Sequence, residues 1–327
     1  MPTIVINHLH KYYRVHKKEA GVMGSFKALF SRSYTDVKAV DDISFTIEPG
    51  ELVGFIGPNG AGKTTTLKCL AGLLYPSNGT VNVLGYQPFD RKKNYLKQIS
   101  IIMGQKNQLW WDLPAIESFL LHKETFEIPK KQFDESLDTL TEMLDVKDFL
   151  NIQVRKLSLG QRMKMELIAG LIHSPKVLFL DEPTIGLDVV MQKKLREFIK
   201  DYNQKYQATI ILTSHYMDDV KELCKRVILI NEGKLVFDDT LSSLIKTVAN
   251  HKLLTMILEK PVEKKILETI GTIKEYEFPK VVLSVARDMV IEKAILAMKK
   301  CAITDINIEE PKIEDVIREV FTKKDVA

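Results

Sequence analysis

Short apolar runs alternate with helical patterns in the first part of the chain. Residues 51–56, 177–182 and 208–214 are short runs dominated by apolar side chains. Runs of this length with few polar positions indicate buried strands of a parallel sheet. Residues 63–74 and 162–173 instead repeat apolar side chains at helical spacing. We therefore predict an α/β fold for this part of the chain.

A longer helical region lies between two of these strands. Residues 114–151 are helical by periodicity, and Pro129 divides the region into two helices. We predict a helical subdomain of about residues 106–172 within an α/β domain of residues 1–239.

The connection after the first strand is longer than a plain loop needs, which predicts an insertion of about residues 15–38. Phe26, Leu29 and Phe30 share one face of a short, basic amphipathic helix there. The insertion either packs on its own domain or acts as a gate or docking element at the bilayer surface, where basic faces meet anionic lipid. The sequence leaves both interpretations open.

The pattern changes after residue 239. A linker of residues 240–252 precedes the order strand, helix, strand, strand, helix, strand, and a last helix follows. This order predicts a small ferredoxin-like α+β domain over residues 253–327. A regulatory ligand is one role for it, and a dimerisation or structural role is at least as consistent with the pattern. The predicted elements are residues 253–258, 262–270, 272–278, 281–286, 291–300, 303–308 and 313–321.

Composition narrows the class of protein. The chain has 327 residues, 45% of them hydrophobic, which is enough for two domains with their own cores. A net charge of +4 is too small to indicate nucleic-acid binding, and none is expected. Cys69, Cys224 and Cys301 lack metal-ligand spacing, so reduced thiols in a cytosolic setting are expected. No signal peptide or bilayer-spanning apolar run is apparent, so any membrane crossing would need another chain.

A glycine-rich run follows the first apolar strand and precedes the first helical pattern. It fits G-x-x-x-x-G-K-[ST], in which glycines let backbone N–H groups converge on phosphate oxygens at a helix N-terminus. Lys63 can reach the β- and γ-phosphates, and the Thr64 hydroxyl can ligate Mg²⁺. ATP or GTP binding is therefore predicted at Gly57, Pro58, Asn59, Gly60, Ala61, Gly62, Lys63, Thr64 and Thr65.

Two later strands end in side chains that suit phosphoryl transfer. Asp181 and Glu182 end one apolar run, and His215 follows another. The carboxyl ends of parallel strands form the ligand-binding edge of open α/β sheets. We predict that Asp181 holds Mg²⁺, that Glu182 is the general base for the attacking water, and that His215 contacts the γ-phosphate.

Between these strands, Ser158 and Gln161 form an S-x-x-Q capping box at the start of a helix. The helix is either simply capped or offers a second anion-binding helix end to a phosphate from elsewhere. The residues alone favour neither the simple cap nor the anion-binding helix end.

Both tryptophans of the chain are adjacent, at Trp110 and Trp111, just before a helix that opens near Pro114. They either anchor the core of the helical subdomain or line a groove that receives a helix of another protein, since aromatic anchors are typical of such grooves.

In combination these motifs resemble the ATP-binding subunit of an ABC transporter. The resemblance covers roughly residues 3–239, and it implies ATP and Mg²⁺ as ligands, with Mg²⁺ held by Thr64, Gln105 and Asp181. The resemblance also implies a P-loop NTPase core, and it adds Lys63 and Gln105 to the predicted catalytic residues. The motifs, in chain order, are the glycine-rich Walker A loop, Gln105, Leu157-Ser158-Leu159-Gly160-Gln161, the Walker B pair Asp181-Glu182, and His215.

The resemblance also implies roles that the residues alone do not. Tyr13 would stack on adenine, although Tyr12 beside it could serve, and Gln105 would sense Mg²⁺ and the membrane partner. Leu159 departs from the glycine usual in the family, and Ile185 from a frequent serine. The implied signature, acting on the ATP of the opposite subunit, is Leu157, Ser158, Gly160 and Gln161, and the implied D-loop is Gly186, Leu187 and Asp188.

One phosphate loop and one signature per chain imply a head-to-tail dimer with a second copy or a paralogue. The resemblance further implies a separate integral membrane permease and a peripheral location on the cytoplasmic face of the cell membrane. Because a similar N-terminal insertion occurs in ABC-2-type exporters, it favours export over import. The alternative is a soluble ABC ATPase that acts on a ribosome or an assembly scaffold, although ribosome-acting types usually carry two cassettes in one chain.

Overall fold

The computed structural model describes residues 1–16, 34–104, 106–248 and 250–322. The chain divides into two compact units, Met1–Asp239 and Thr240–Ala327. Most of the predicted insertion, with its amphipathic helix around Phe26, Leu29 and Phe30, lies outside the described residues. No described helix is long and apolar enough to cross a bilayer.

The strands of the first unit form two sheets. They are β1 Ile4–His16, β2 Tyr34–Ile47, β3 Leu52–Ile56, β4 Asn78–Val83, β5 Ile99–Met103, β6 Val177–Asp181, β7 Thr209–Thr213, β8 Arg226–Asn231 and β9 Lys234–Thr240. A six-stranded sheet has the order β5-β6-β7-β3-β8-β9, and its pairs from β5 to β8 are parallel. An antiparallel sheet has the order β2-β1-β4. The α/β prediction is confirmed, and its continuous apolar runs are the fully buried strands β6 and β7.

The helices of this unit are α1 Lys63–Leu70, α2 Lys93–Leu96, α3 Ala115–Phe126, α4 Lys130–Leu144, α5 Leu159–Leu171, α6 Val189–Tyr206 and α7 Met217–Leu223. Helix α1 is shorter than the predicted 63–74, because Gly72 adopts a φ of +70°, and a Cβ there would lie 2.2 Å from the Pro88 carbonyl oxygen. Helix α5 begins directly after Ser158, as the predicted capping box requires, and it ends two residues before the predicted residue 173.

The second unit has the predicted order of elements. These are α8 Leu241–Val248, β10 His251–Leu258, α9 Lys264–Ile270, β11 Thr272–Glu277, β12 Lys280–Ala286, α10 Val290–Lys300, β13 Ile303–Glu309 and α11 Ile313–Thr322. The sheet order β11-β12-β10-β13, with antiparallel pairing throughout, is that of a ferredoxin-like sandwich. Leu254, Met256, Leu267 and Leu283 belong to its core.

His173, just beyond α5, is buried in the first unit. Its Nε2 lies 3.0 Å from the Ile99 carbonyl oxygen, and its ring stacks on Phe126 with 4.0 Å between ring centroids. Within the described residues its Nδ1 has no hydrogen-bond partner. A proton on Nδ1 would therefore be buried without an acceptor, and burial lowers the pKa of His173 to about 4.

This depressed pKa predicts an acid-sensitive term in stability. Below pH 6.5 the unfolded chain binds a proton that the folded chain refuses until about pH 4, so stability falls as the pH falls through this window. Between these two pH values the wild type should lose on the order of 2–3 kcal/mol of unfolding free energy through His173. We expect His173→Gln, which keeps a donor for the Ile99 carbonyl oxygen, to abolish this loss. Urea unfolding of both proteins across the window measures it. Equal pH dependence in the two proteins would contradict the assignment.

Candidate nucleotide-binding site

The glycine-rich loop connects β3 to α1 through two close backbone approaches. A Cβ on Gly57 would lie 2.3 Å from the Ile230 carbonyl oxygen, and a Cβ on Gly62 would lie 2.3 Å from that of Ala39. Gly62 is also the residue that precedes α1, with a φ of +105° that favours glycine. The neighbouring strands thus require glycine at both positions, and the loop leads directly into the N-terminus of α1.

Lys63 is buried at the first position of α1. Its Nζ donates hydrogen bonds to the carbonyl oxygens of Gly57, at 2.7 Å, and Pro58, at 3.1 Å. Burial is the main cause that lowers the pKa of Lys63, while the carboxylates of Glu182 and Asp181 oppose that shift. The ammonium is therefore held by the loop itself, with two carboxylates near enough to act on it.

Asp181 joins the phosphate loop helix to two strands. Thr64 Oγ1 donates to one carboxylate oxygen at 2.8 Å, and Thr213 Oγ1 donates to the other at 2.7 Å. Asp181 and Thr213 are partners in the parallel register of β6 and β7, so both side chains end at the same sheet edge. The two predicted magnesium ligands Thr64 and Asp181 are thus in direct contact.

Glu182 directly follows β6 and is in contact with His215. The distance between Glu182 Oε1 and His215 Nε2 is 2.8 Å, and the two side chains are 15% and 39% exposed. Glu182 has a φ of +56°, and its N–H donates to the backbone oxygen and hydroxyl of Thr213. A Cβ on Gly104 would lie 2.1 Å from the Glu182 carbonyl oxygen. The left-handed backbone at Glu182 directly follows the last residue of β6, Asp181.

Gln105 lies outside the described residues, so its predicted role stays a prediction. Its neighbour Gly104 donates its N–H to the Asp181 carbonyl oxygen at 2.9 Å. Tyr12 is part-buried, and its hydroxyl bonds to Asp41 and His10. Tyr13 is instead exposed, with Lys11 Nζ 5.2 Å from its ring centroid. Of the two tyrosines, Tyr13 is therefore the more exposed.

The capping box at the start of α5 is confirmed. The Ser158 hydroxyl accepts from the Gln161 N–H at 3.2 Å, and Gln161 Oε1 accepts from the Ser158 N–H at 2.9 Å. Ser158 is exposed, so this helix end faces solvent. Leu157 precedes it, partly buried in extended backbone.

The predicted D-loop lies against this helix end. A Cβ on Gly186, whose φ is +74°, would lie 3.1 Å from Leu159 Cδ2, and a Cβ on Gly160 would lie 3.0 Å from Met191 Cε. Leu187 is buried. Asp188 caps α6 by accepting from the Met191 N–H at 2.9 Å. The predicted signature and the predicted D-loop are thus neighbours within one chain.

Sequence reasoning missed a buried network behind the site. Asp219, fully buried in α7, accepts hydrogen bonds from the Thr184 and Ser214 hydroxyls, both at 2.6 Å, and from Arg196 at 3.0 Å. Arg196 also pairs with Glu222 at 2.8 Å. Thr184 follows Glu182 by two residues and Ser214 precedes His215, so the network holds both segments. Polar residues next to the strand ends, such as Thr184 and Ser214, could have indicated this network in the sequence.

The tryptophans do not anchor a core. Trp110 and Trp111 are 51% and 45% exposed, and the Arg162 guanidinium lies 5.3 Å from the Trp111 ring centroid. The interpretation as core anchors is therefore wrong.

Two loop glycines give a matched test of the backbone packing. Gly60 and Gly62 both have positive φ, but a Cβ on Gly60 meets nothing within 4 Å, whereas one on Gly62 meets Ala39. We expect Gly60→Ala to lower the free energy of unfolding by about 1–2 kcal/mol through backbone strain. Gly62→Ala should lose about 1–3 kcal/mol more through overpacking. Urea unfolding without nucleotide measures both, and equal losses would contradict the close approach.

The sequence of this chain is similar to those of known ABC transporter ATP-binding proteins. The ABC transporter family model matches residues 40–185. The ABC transporter ATP-binding protein NatA of Bacillus subtilis is 34% identical over 234 residues, which is 70% of this chain and 95% of NatA. The Nod factor export ATP-binding protein I of Paraburkholderia xenovorans is 33% identical over 65% of this chain and 70% of its own.

Among solved structures, the dimeric ATP-binding cassette MJ0796, in a post-hydrolysis state bound to ADP and phosphate, has the same fold. The TM-score is 0.59 at 20% identity, covering 72% of this chain and 98% of that one. The chain combines these relatives with three structural features. These are a glycine-rich loop that requires glycine at two positions, two strand-end carboxylates beside that loop, and a capped helix with an exposed end. The chain therefore belongs to the ABC transporter family, as an ATP-binding subunit that hydrolyses ATP.

Proposed function

We propose that this subunit hydrolyses ATP in a head-to-tail dimer and thereby powers export of a substrate through a separate membrane permease. The observation that carries the proposal is the convergence of Thr64, Asp181, Glu182 and His215 beside the phosphate loop. Each member of this set matches one requirement of phosphoryl transfer to water: charge neutralisation, water activation and γ-phosphate contact.

Mg²⁺ fits the residues at the loop. The Thr64 hydroxyl and an Asp181 carboxylate oxygen are hard oxygen donors held 2.8 Å apart, and such donors are what Mg²⁺ prefers. These two residues, with Gln105, would hold the ion, which when bound neutralises charge on the phosphates. Lys63 would exchange its contacts to the loop carbonyls for phosphate oxygens, which are stronger acceptors for an ammonium.

Glu182 is the proposed general base. Its carboxylate is mostly buried but contacts the exposed side chain of His215. It therefore lies between the phosphate loop and solvent. Glu182 would accept the proton of the attacking water, and His215 would orient the carboxylate and contact the γ-phosphate. Tyr13, the more exposed of the two neighbouring tyrosines, would stack on adenine.

A second copy would complete each site. The Ser158 helix end is exposed, and its N–H groups suit an anion. In a head-to-tail pair, Ser158, Gly160 and Gln161 of one copy would meet the ATP bound by the other. The solved cassette MJ0796, which has the same fold, is dimeric, and this supports a pairing of two copies.

Export through a separate permease rests on two observations. A relative that covers 65% of this chain is named for Nod factor export. Exposed Trp110 and Trp111 lie just before α3 and suit a groove for a permease helix, because aromatic anchors dominate such contacts.

Glu182→Gln tests the catalytic assignment. It keeps the size and hydrogen bonding of the side chain but removes the base, so we expect at least about 100-fold slower hydrolysis and an ATP-dependent dimer that persists. Steady-state ATPase assays and size-exclusion chromatography with ATP measure the two effects. Glu135→Gln, on the exposed face of α4, is the matched control and should leave both unchanged.

Adding Ser158→Arg to Glu182→Gln tests sharing of the site. The new side chain would fill the helix end, so the ATP-dependent dimer should disappear while each monomer still binds ATP. A trapped dimer that survives this change would rule out the role of Ser158 in trans. Wild-type hydrolysis by Glu182→Gln would rule out the general base.

Replacing both Trp110 and Trp111 by Ala tests the permease contact. Loss of aromatic anchors costs an interface about 2–4 kcal/mol, so association with the permease should weaken more than tenfold. Copurification from the native membrane measures association, and thermal melting of the isolated chain should change little, because both rings are about half exposed.

The matched control is Tyr206→Ala, which removes an aromatic side chain of similar exposure at the end of α6. It should leave copurification intact. Unchanged permease association and transport in the tryptophan double variant would refute the docking role.

A further inference from the structure

Helix α10 of the second unit carries an apolar stripe on its surface. Ile291, Ile295 and Met298 are 70%, 50% and 56% exposed. Their spacing of i, i+4 and i+7 places them in one row along the helix. A contiguous exposed row of this kind is unusual on a soluble domain and is typical of an interaction surface.

The rest of α10 fixes where the stripe lies. Ala294 and Ala297 face the core of the unit. On the other side of that buried face, Lys293 and Lys300 donate to Thr269 of the neighbouring helix α9. The stripe therefore lies on the flank of α10 that faces away from α9.

Two opposite charges border the stripe on its outer side. Glu292 lies in the first turn of α10 and Lys299 in the last turn, seven residues apart and so on the same edge of the helix. Neither forms a hydrogen bond or ion pair with another residue in the described part of the chain. The edge is therefore acidic at one end and basic at the other, with both charges available to a partner.

We propose that this stripe binds the same stripe of a second copy, with the two α10 helices antiparallel across a twofold axis. Antiparallel pairing places Glu292 of each copy beside Lys299 of the other, whereas parallel pairing would place like charges together. It also sets the two helix dipoles in opposite directions. The helices α9 and α10 of both copies would then form one continuous layer.

The proposed contact goes beyond the nucleotide-driven dimer, because nothing in it depends on ATP. A helix of 11 residues is about 16 Å long, so the contact is smaller than the roughly 800 Å² per partner of a standard interface. It is therefore expected to be weak and concentration-dependent alone.

Sedimentation velocity of the full chain, without nucleotide, tests the proposal. The wild type should show a monomer–dimer equilibrium that shifts with concentration. Ile295→Glu should raise its dissociation constant about tenfold or more, because a charge would replace the centre of the apolar row. Phe278→Glu is the matched control, since Phe278 is also half exposed but lies in the turn between β11 and β12, and it should have no effect.

Charge exchange tests the antiparallel arrangement without touching the apolar row. Glu292→Lys and Lys299→Glu should each weaken the dimer, and the double exchange should restore it. Recovery in the double variant is specific to a pair across the interface. Two weak single variants whose combination stays weak would overturn the arrangement.

Three further results would overturn the proposal. These are a nucleotide-free wild type that stays monomeric at every concentration, an Ile295→Glu variant that associates as tightly as the wild type, and binding of the stripe to phosphatidylglycerol vesicles without self-association. ATP-dependent dimerisation of Glu182→Gln is measured in a separate experiment. Loss of the α10 contact can therefore be distinguished from loss of the ATP-dependent dimer.

Discussion

The two hydrogen bonds accepted by Asp181 are the interaction on which the site depends. One oxygen takes the hydroxyl of Thr64 at the start of α1, and the other takes that of Thr213 at the end of β7. Three separate chain segments therefore meet at one carboxylate that is only 8% exposed. A buried carboxylate is costly unless its lone pairs are satisfied, so the same bonds that stabilise the charge also fix the loop relative to the sheet.

The buried Asp219 likewise holds separate chain segments together, behind the site. Its bonds to Thr184 and Ser214 lock the segments that follow Glu182 and precede His215, and Arg196 balances its charge. Removing one partner of such a buried ion pair leaves an uncompensated charge, at a cost of about 3–5 kcal/mol. The segments that carry Glu182 and His215 are thus held by a buried network behind the site.

The sequence predicted those parts of the molecule in which local pattern and chemistry agree. The buried strands β6 and β7, the glycine-rich loop and the Ser158 cap each depend on residues close together in the chain. Helix α1 ended four residues early because Gly72 meets the Pro88 backbone, a contact distant from the helical pattern. Thr213 and the Asp219 network were missed for the same reason, since only strand register and helix docking bring their partners together.

Leu159 shows how a departure from the family pattern is accommodated. A leucine beside the helix cap needs space, and Gly186 supplies it, because a Cβ on that glycine would lie only 3.1 Å from the leucine side chain. The leucine thus contacts the predicted D-loop of its own chain. The capping bonds of Ser158 and Gln161 are intact beside it, so the extra bulk leaves the helix end open to an anion. Leu159 therefore adds a side-chain contact between the capped start of α5 and the loop that contains Gly186.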